Sequence, residues 1–252
     1  MKPDDALLSY VLRLGDNALI TGQRMIERVA DEAELEAELS NANFALDFIG
    51  QARMFYTLAG ALEGKGRSED DFAYLRDSQE FMNFLLVEQP NGDFGHSVVR
   101  QFLFESFYKL QLDALVDCKH QPLAEIAARA AKEIRYHLNY ASQWLIRLGD
   151  GTEESHRRVE DALESCWPFT GELFAADQVD DIVHLEFDGP DLGVIASTWR
   201  ENVAAVLDEA TLAMPEDRYT PGDGRSGKHS EHLGFLVAEM QHLQRAHPGA
   251  DW

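Results

Sequence analysis

A chain of 252 residues is long enough for one large domain or two small ones, and a composition of 45% hydrophobic and 27% charged residues excludes a disordered chain. Its 45 acids against 22 bases leave a net charge of −23, a field that repels nucleic-acid backbones and anionic membrane surfaces. Only Cys118 and Cys166 are present, which excludes a disulfide framework and points to reduced thiols in the cytoplasm. No apolar run approaches the roughly 20 residues of a membrane span, and acids follow Met1 almost at once, so no targeting segment is expected.

Eight prolines punctuate a chain whose intervals read as helix. In the first interval Leu7, Val11, Leu14, Ala18, Met25 and Val29 fall on one stripe, predicting a long first helix. A second is predicted from Leu39 to Leu62, with Ala42, Leu46, Ile49 and Tyr56 as its apolar face and Gly64-Lys65-Gly66 closing it. A third is predicted from Asp70 to Val87, ending at the turn Gln89-Pro90-Asn91-Gly92. The fourth runs from His96 to Cys118. Pro122 then opens a fifth whose stripe is Leu123, Ile126, Ala130, Ile134, Ala141, Leu145 and Leu148, stopped by Gly149. Beyond it the pattern gives a helical stretch from Glu153 to Ala176, a poorly patterned loop or hairpin over Val179 to Phe187, and a helix from Leu192 to Ala213. A Gly-rich loop from Tyr219 to Lys228 precedes a last helix from Ser230 to Arg245, with Leu233, Leu236, Val237, Met240 and Leu243 on one face. The expected fold is all-α: a helical bundle over about residues 4–150 with additional C-terminal helices over about 151–252, read as one domain.

Di-metal bundles take a carboxylate from each of two helices and a Glu-x-x-His pair from each of two others, because residues three apart share a helical face. Acid-x-x-His pairs occur at Asp93/His96, Asp117/His120, Glu153/His156, Asp181/His184 and Glu239/His242. The first three fall near helix ends or turns, the fourth in irregular chain, and the last on an expected exposed flank. At the mid-helix positions that matter, Asp47 is followed three residues on by Gly50 and Glu133 by Tyr136, with His137 one place further. Glu133 and His137 share a face at a spacing of four, read as a structural helical pair. Asp16, Glu27, Glu105 and Asp113 could supply single carboxylates, but in so acidic a chain each is expected to be a solvated charge. Phe102, Phe104, Phe107 and Tyr108 read as core or subunit interface, as do Phe81 to Val87. No Gly-x-Ser-x-Gly elbow, Gly-x-x-x-x-Gly-Lys loop or Cys-x-x-Cys is present.

Five segments carry a resemblance that spans the chain: Leu12 to Asn17, Gly50 to Arg53, Leu85 to Phe94, Lys132 to Leu138, and Glu231 to Gly234 with Glu239 to Gln241. Together they resemble the ferritin-like C subunits of bacterial phenylacetyl-CoA epoxidases, also called phenylacetate-CoA oxygenases. The resemblance implies a ferritin-like fold and a non-catalytic structural subunit, which pairs with and stabilises a separate A subunit that holds the di-iron centre. It further implies a reductase subunit with flavin and iron–sulfur centres, and aerobic breakdown of phenylacetate in the cytoplasm. On this reading the chain has no catalytic residue and no cofactor of its own, and Asp47, Gly50, Glu133, Tyr136 and His137 are vestigial metal positions. Two other readings are a stand-alone ferritin-like di-metal oxidase built on Glu133 and His137, and an all-α scaffold unrelated to oxygenation.

Overall fold

The computed structural model describes residues 1–29, 34–218 and 222–250; Tyr219 to Pro221 of the expected Gly-rich loop lie outside them. Every regular element among the described residues is helical, and the fold is all-α and ferritin-like. The α-helices are α1 Pro3–Ile26, α2 Leu35–Glu63, α3 Glu69–Tyr74, α4 Leu85–Glu88, α5 Phe94–Leu115, α6 Gln121–Gly149, α7 Glu153–Cys166, α8 Gln178–Phe187, α9 Leu192–Glu209 and α10 Glu231–Ala246. The chain divides into two compact units. One is Asn91–Gly222 with Met1; the other joins Lys2–Pro90 to the chain from Asp223 onward.

The unit containing the N-terminal segment is built on the α1–α2 hairpin. Pro3 in the first turn of α1 and Asp4 and Asp5 beside it suit a helix start, and Gly64 in the left-handed region ends α2 by donating its amide to Gly60. The two helices approach closely because Gly15 lies against Tyr56, whose ring carbon would be 2.6 Å from any Cβ placed there. Phe44, Phe48, Phe55 and Tyr56 of α2 are buried with Leu7, Val11, Leu14 and Ala18 of α1. The expected stripe of the first helix is therefore core as far as Met25, while Val29 lies beyond the helix end and is exposed. The expected face of the second helix is corrected: the phenylalanines turn inward, and Leu46 is left 66% exposed.

The continuous third helix does not form. After α3, capped by Ser68 and Asp71, come a short 3₁₀ turn over Ser78–Glu80, extended chain at Phe81 and Phe84, and the single turn of α4. Tertiary hydrogen bonds override local propensity here. The carboxylate of Asp16 accepts from the Met82 amide at 2.8 Å, and Asn17 Oδ1 accepts from the Phe84 amide at 2.8 Å. This drawn-out backbone buries both Phe81 and Phe84. Helix α10 completes the unit by burying Leu233, Leu236 and Val237, and its Gln241 donates to the carbonyls of Ala73 and Arg76.

The second unit is built on the α5–α6 hairpin. Asp93 caps α5 by accepting from the His96 amide, and His120 caps α6 with Pro122 in its first turn. On α6, Leu123, Ala130, Ile134, Ala141 and Leu145 are buried, with Ile126 and Leu148 half-buried at the stripe's edge. Helix α7, a 3₁₀ segment over Trp167–Phe174, and α9 pack alongside. Trp199 of α9 donates its indole N–H to the Leu103 carbonyl and meets Trp167 and Phe174 in an aromatic cluster. The expected loop over Val179 to Phe187 is corrected to the helix α8. Asp177 and Asp180 form a capping box at its start, and burial of only Val179, Asp180 and Val183 leaves a stripe too short for periodicity to show.

Candidate functional site

Ionisable groups that a fold takes out of water are where chemistry or strict structural pairing concentrates. Asp16, Glu88, Glu105 and His137 are each fully buried, and His229 nearly so. The expectation that Asp16 and Glu105 are solvated is thus wrong, whereas Asp113, salt-bridged to Lys109, is largely exposed and Glu27 pairs with Arg24 near the surface.

In the unit built on α1 and α2, Asp16 is the hub of a closed network. Arg76 makes a salt bridge to it, the Tyr56 hydroxyl donates to it at 2.6 Å, and the Met82 amide completes its shell. The same guanidinium donates to the carbonyls of Phe72 and Glu80 and lies 4.3 Å from the Phe81 ring centroid. Burial, with Asp16 beside it, holds the Tyr56 phenol well above its ordinary range. Asp16 is neutralised by partners of fixed geometry, which makes it a structural anion.

A second network joins the two sequence segments of that unit. Glu88 accepts from Asn83 at 2.9 Å and from the Ser230 amide at 2.6 Å, and it lies 2.7 Å from His229 Nδ1. The other ring nitrogen of His229 lies 2.8 Å from the Phe81 carbonyl. Burial alone lowers the His229 pKa, but hydrogen bonds to Glu88 and Phe81 outweigh it and the net shift is upward. Composition and spacing gave no sign of this pair, 141 residues apart.

In the unit built on α5 and α6, Glu105 Oε1 accepts from Gln101 at 3.0 Å and lies 3.6 Å from His137 Nδ1; its Oε2 has no hydrogen-bond partner among the described residues. Burial raises the Glu105 pKa, and His137 and Gln101 only partly reverse this. The arrangement is a buried carboxyl–imidazole contact, its 3.6 Å separation longer than a hydrogen bond. Its acid was hidden in the aromatic run Phe102 to Tyr108, every apolar member of which is core.

The five positions singled out in the sequence do not converge. Asp47 is half-buried on α2, and a side chain at Gly50 would meet nothing within 4 Å. Glu133 is salt-bridged to Arg129 at 3.2 Å, Tyr136 is 65% exposed, and of the five only His137 is buried. Among the described residues no group of three or more His, Cys, Asp or Glu is placed to hold a metal ion. The described residues therefore do not supply the donor set of a di-metal bundle site. The acid-x-x-His pairs have other partners or places: Asp93 and His120 are helix caps, while His156 and His184 contact the carbonyls of Gly149 and Gly189. Asp181 and His184, expected in irregular chain, lie on α8, and Glu239 and His242 are exposed on α10. Cys166 and His96 approach to 3.7 Å, but burial pushes the thiol up to about 11, far from a reactive thiolate.

Fold and site together define an all-α, ferritin-like protein whose fully buried acids Asp16, Glu88 and Glu105 lie against a guanidinium, amide groups and imidazoles. The model of the family described as phenylacetic acid catabolic protein matches residues 1–252, and the chain belongs to that family. It is 42% identical over 246 residues to the C subunit of the 1,2-phenylacetyl-CoA epoxidase of Escherichia coli strain K12, across 98% of this chain and 99% of that relative. No helix among the described residues is long and apolar enough to cross a membrane.

Proposed function

We propose that this chain is the C-type subunit of a cytoplasmic 1,2-phenylacetyl-CoA epoxidase complex, in which it pairs with and stabilises a di-iron A subunit without carrying out the oxygenation itself. The observation that carries the reading is the end-to-end 42% identity to the Escherichia coli C subunit. The geometry supports the non-catalytic part. Gly50 offers no ligating atom, the Tyr136 phenol is exposed, and Glu133 and Asp16 are salt-bridged to Arg129 and Arg76. The stand-alone oxidase built on Glu133 and His137 lacks support from this geometry, because among the described residues no group of three or more His, Cys, Asp or Glu is placed to hold a metal ion.

Co-expression of the chain with a di-iron A subunit and a reductase of the same kind of complex tests the reading. Copurification with the A subunit, iron found only in that partner, and ring epoxidation that requires both are the expected results. A lone chain that binds one or two irons with an oxygen-bridged spectroscopic signature, or an A subunit equally soluble and active without it, overturns the reading.

A further inference from the structure

The strongest feature outside the buried networks is the outer face of α2. Leu35, Leu39 and Leu46 are 65%, 56% and 66% exposed, although each is a residue type that normally turns inward. They do not stand singly. With Asn43, Gly50, Arg53 and Thr57 they follow steps of four, four, three, four, three and four, the spacing of a helix–helix seam. From Leu35 to Arg53 this seam runs about 27 Å at 1.5 Å per residue. Gly50 opens the seam near its Arg53 end, where no atom lies within 4 Å of a Cβ position, so the backbone is accessible to close approach. The opposite face of α2 is already committed to the core through Phe44, Phe48 and Phe55.

Charge selects the occupant. Glu34, Glu36 and Glu38 border the leucine end of the seam and have no ion-pair partner among the described residues. A second copy of a chain with net charge −23 would bring the same acids against them. We infer that the outer face of α2 from Leu35 to Arg53 is a docking seam for a helix of a different polypeptide, apolar along its centre and flanked by lysine or arginine. This rests on the proposed membership of an epoxidase complex, of which that polypeptide is another subunit.

Leu39→Glu with Leu46→Glu places charges on the seam without touching the core, so the melting temperature of the isolated chain checks that the fold is retained. Copurification with the A subunit and titration of the purified pair are then measured for wild type, for this variant and for Phe235→Glu on the exposed face of α10. The inference expects the double variant to weaken association at least about a hundredfold, the scale of an interface hot spot, and Phe235→Glu to leave it unchanged. It also expects Glu36→Lys with Glu38→Lys to weaken association more at low salt than at high salt. A wild-type chain that captures no epoxidase subunit overturns the complex reading and the seam with it. Undiminished binding by a well-folded double variant overturns the seam alone, as does a wild-type homodimer that the double variant abolishes.

Discussion

His229 lies between the Glu88 carboxyl and the Phe81 carbonyl, and the protonated ring satisfies both, with Nδ1 donating to Glu88 and Nε2 to the carbonyl. Its folded pKa is raised above the unfolded value of about 6.5. Its stabilising contribution is therefore complete below about pH 6.5 and is lost as pH rises through the folded pKa. The stability difference between wild type and His229→Gln, from urea midpoints at pH 6 to 9, is expected to shrink as pH rises. A difference constant with pH shows that no proton is linked. Asp16 allows a comparison of magnitudes. Asp16→Ala strands the buried Arg76 guanidinium and is expected to cost about 3–5 kcal/mol. Tyr56→Phe removes one donor while Arg76 and the Met82 amide remain, and is expected to cost about 0.5–1.5 kcal/mol. Equal costs in urea denaturation would show that the phenol, not the ion pair, anchors the network.

At the level of elements, two glycines on neighbouring helices separate close packing from open surface. A Cβ at Gly15 meets the Tyr56 ring at 2.6 Å, and that ring is held by Asp16 and Arg76, so Gly15→Ala is expected to destabilise by about 1–3 kcal/mol. Gly50→Ala meets nothing within 4 Å and gains helix propensity, so the isolated chain is expected to gain about 0.5–1 kcal/mol. Thermal melts of the two variants check both signs. The long helices were legible because their apolar residues repeat at helical spacing and Pro122, Gly64 and Gly149 mark ends. Two elements were not legible, for different reasons. The chain from Leu75 to Phe84 carries helix-compatible residues but is drawn out of the α-helix at Met82 and Phe84 by Asp16 and Asn17, 66 and 67 residues away in sequence. Helix α8 depends on its Asp177 cap more than on a stripe. The buried ionic pairs were hidden for a third reason: in a chain with 45 acids an isolated carboxylate carries little information. The usable signals were an acid inside the aromatic-rich run Phe102 to Tyr108, at Glu105, and one inside the otherwise uncharged stretch Leu14 to Gly22, at Asp16.

For the molecule as a whole, the question is what the fold supplies once its inward-facing acids are tied up. Phe81 to Val87 and Phe102 to Tyr108, which the sequence offers as interface material, are core or at most half-buried, and this removes them from the free surface. The leucine seam of α2 remains, beside a net charge of −23 that works against self-association. A partner that covers such a seam binds the folded chain and not the unfolded one, so mass action couples the stability of the two. On the proposed function, the pair is expected to melt as one transition above either subunit alone. Its midpoint should rise with protein concentration, because dissociation and unfolding are linked. Obligate interfaces commonly bury more than about 2,000 Å², enough that free monomer should be scarce at micromolar concentration. Scanning calorimetry and light scattering of the co-expressed pair over a hundredfold range of concentration check this. Two independent transitions at the temperatures of the separate subunits would leave this chain without the supporting role, whatever its ancestry.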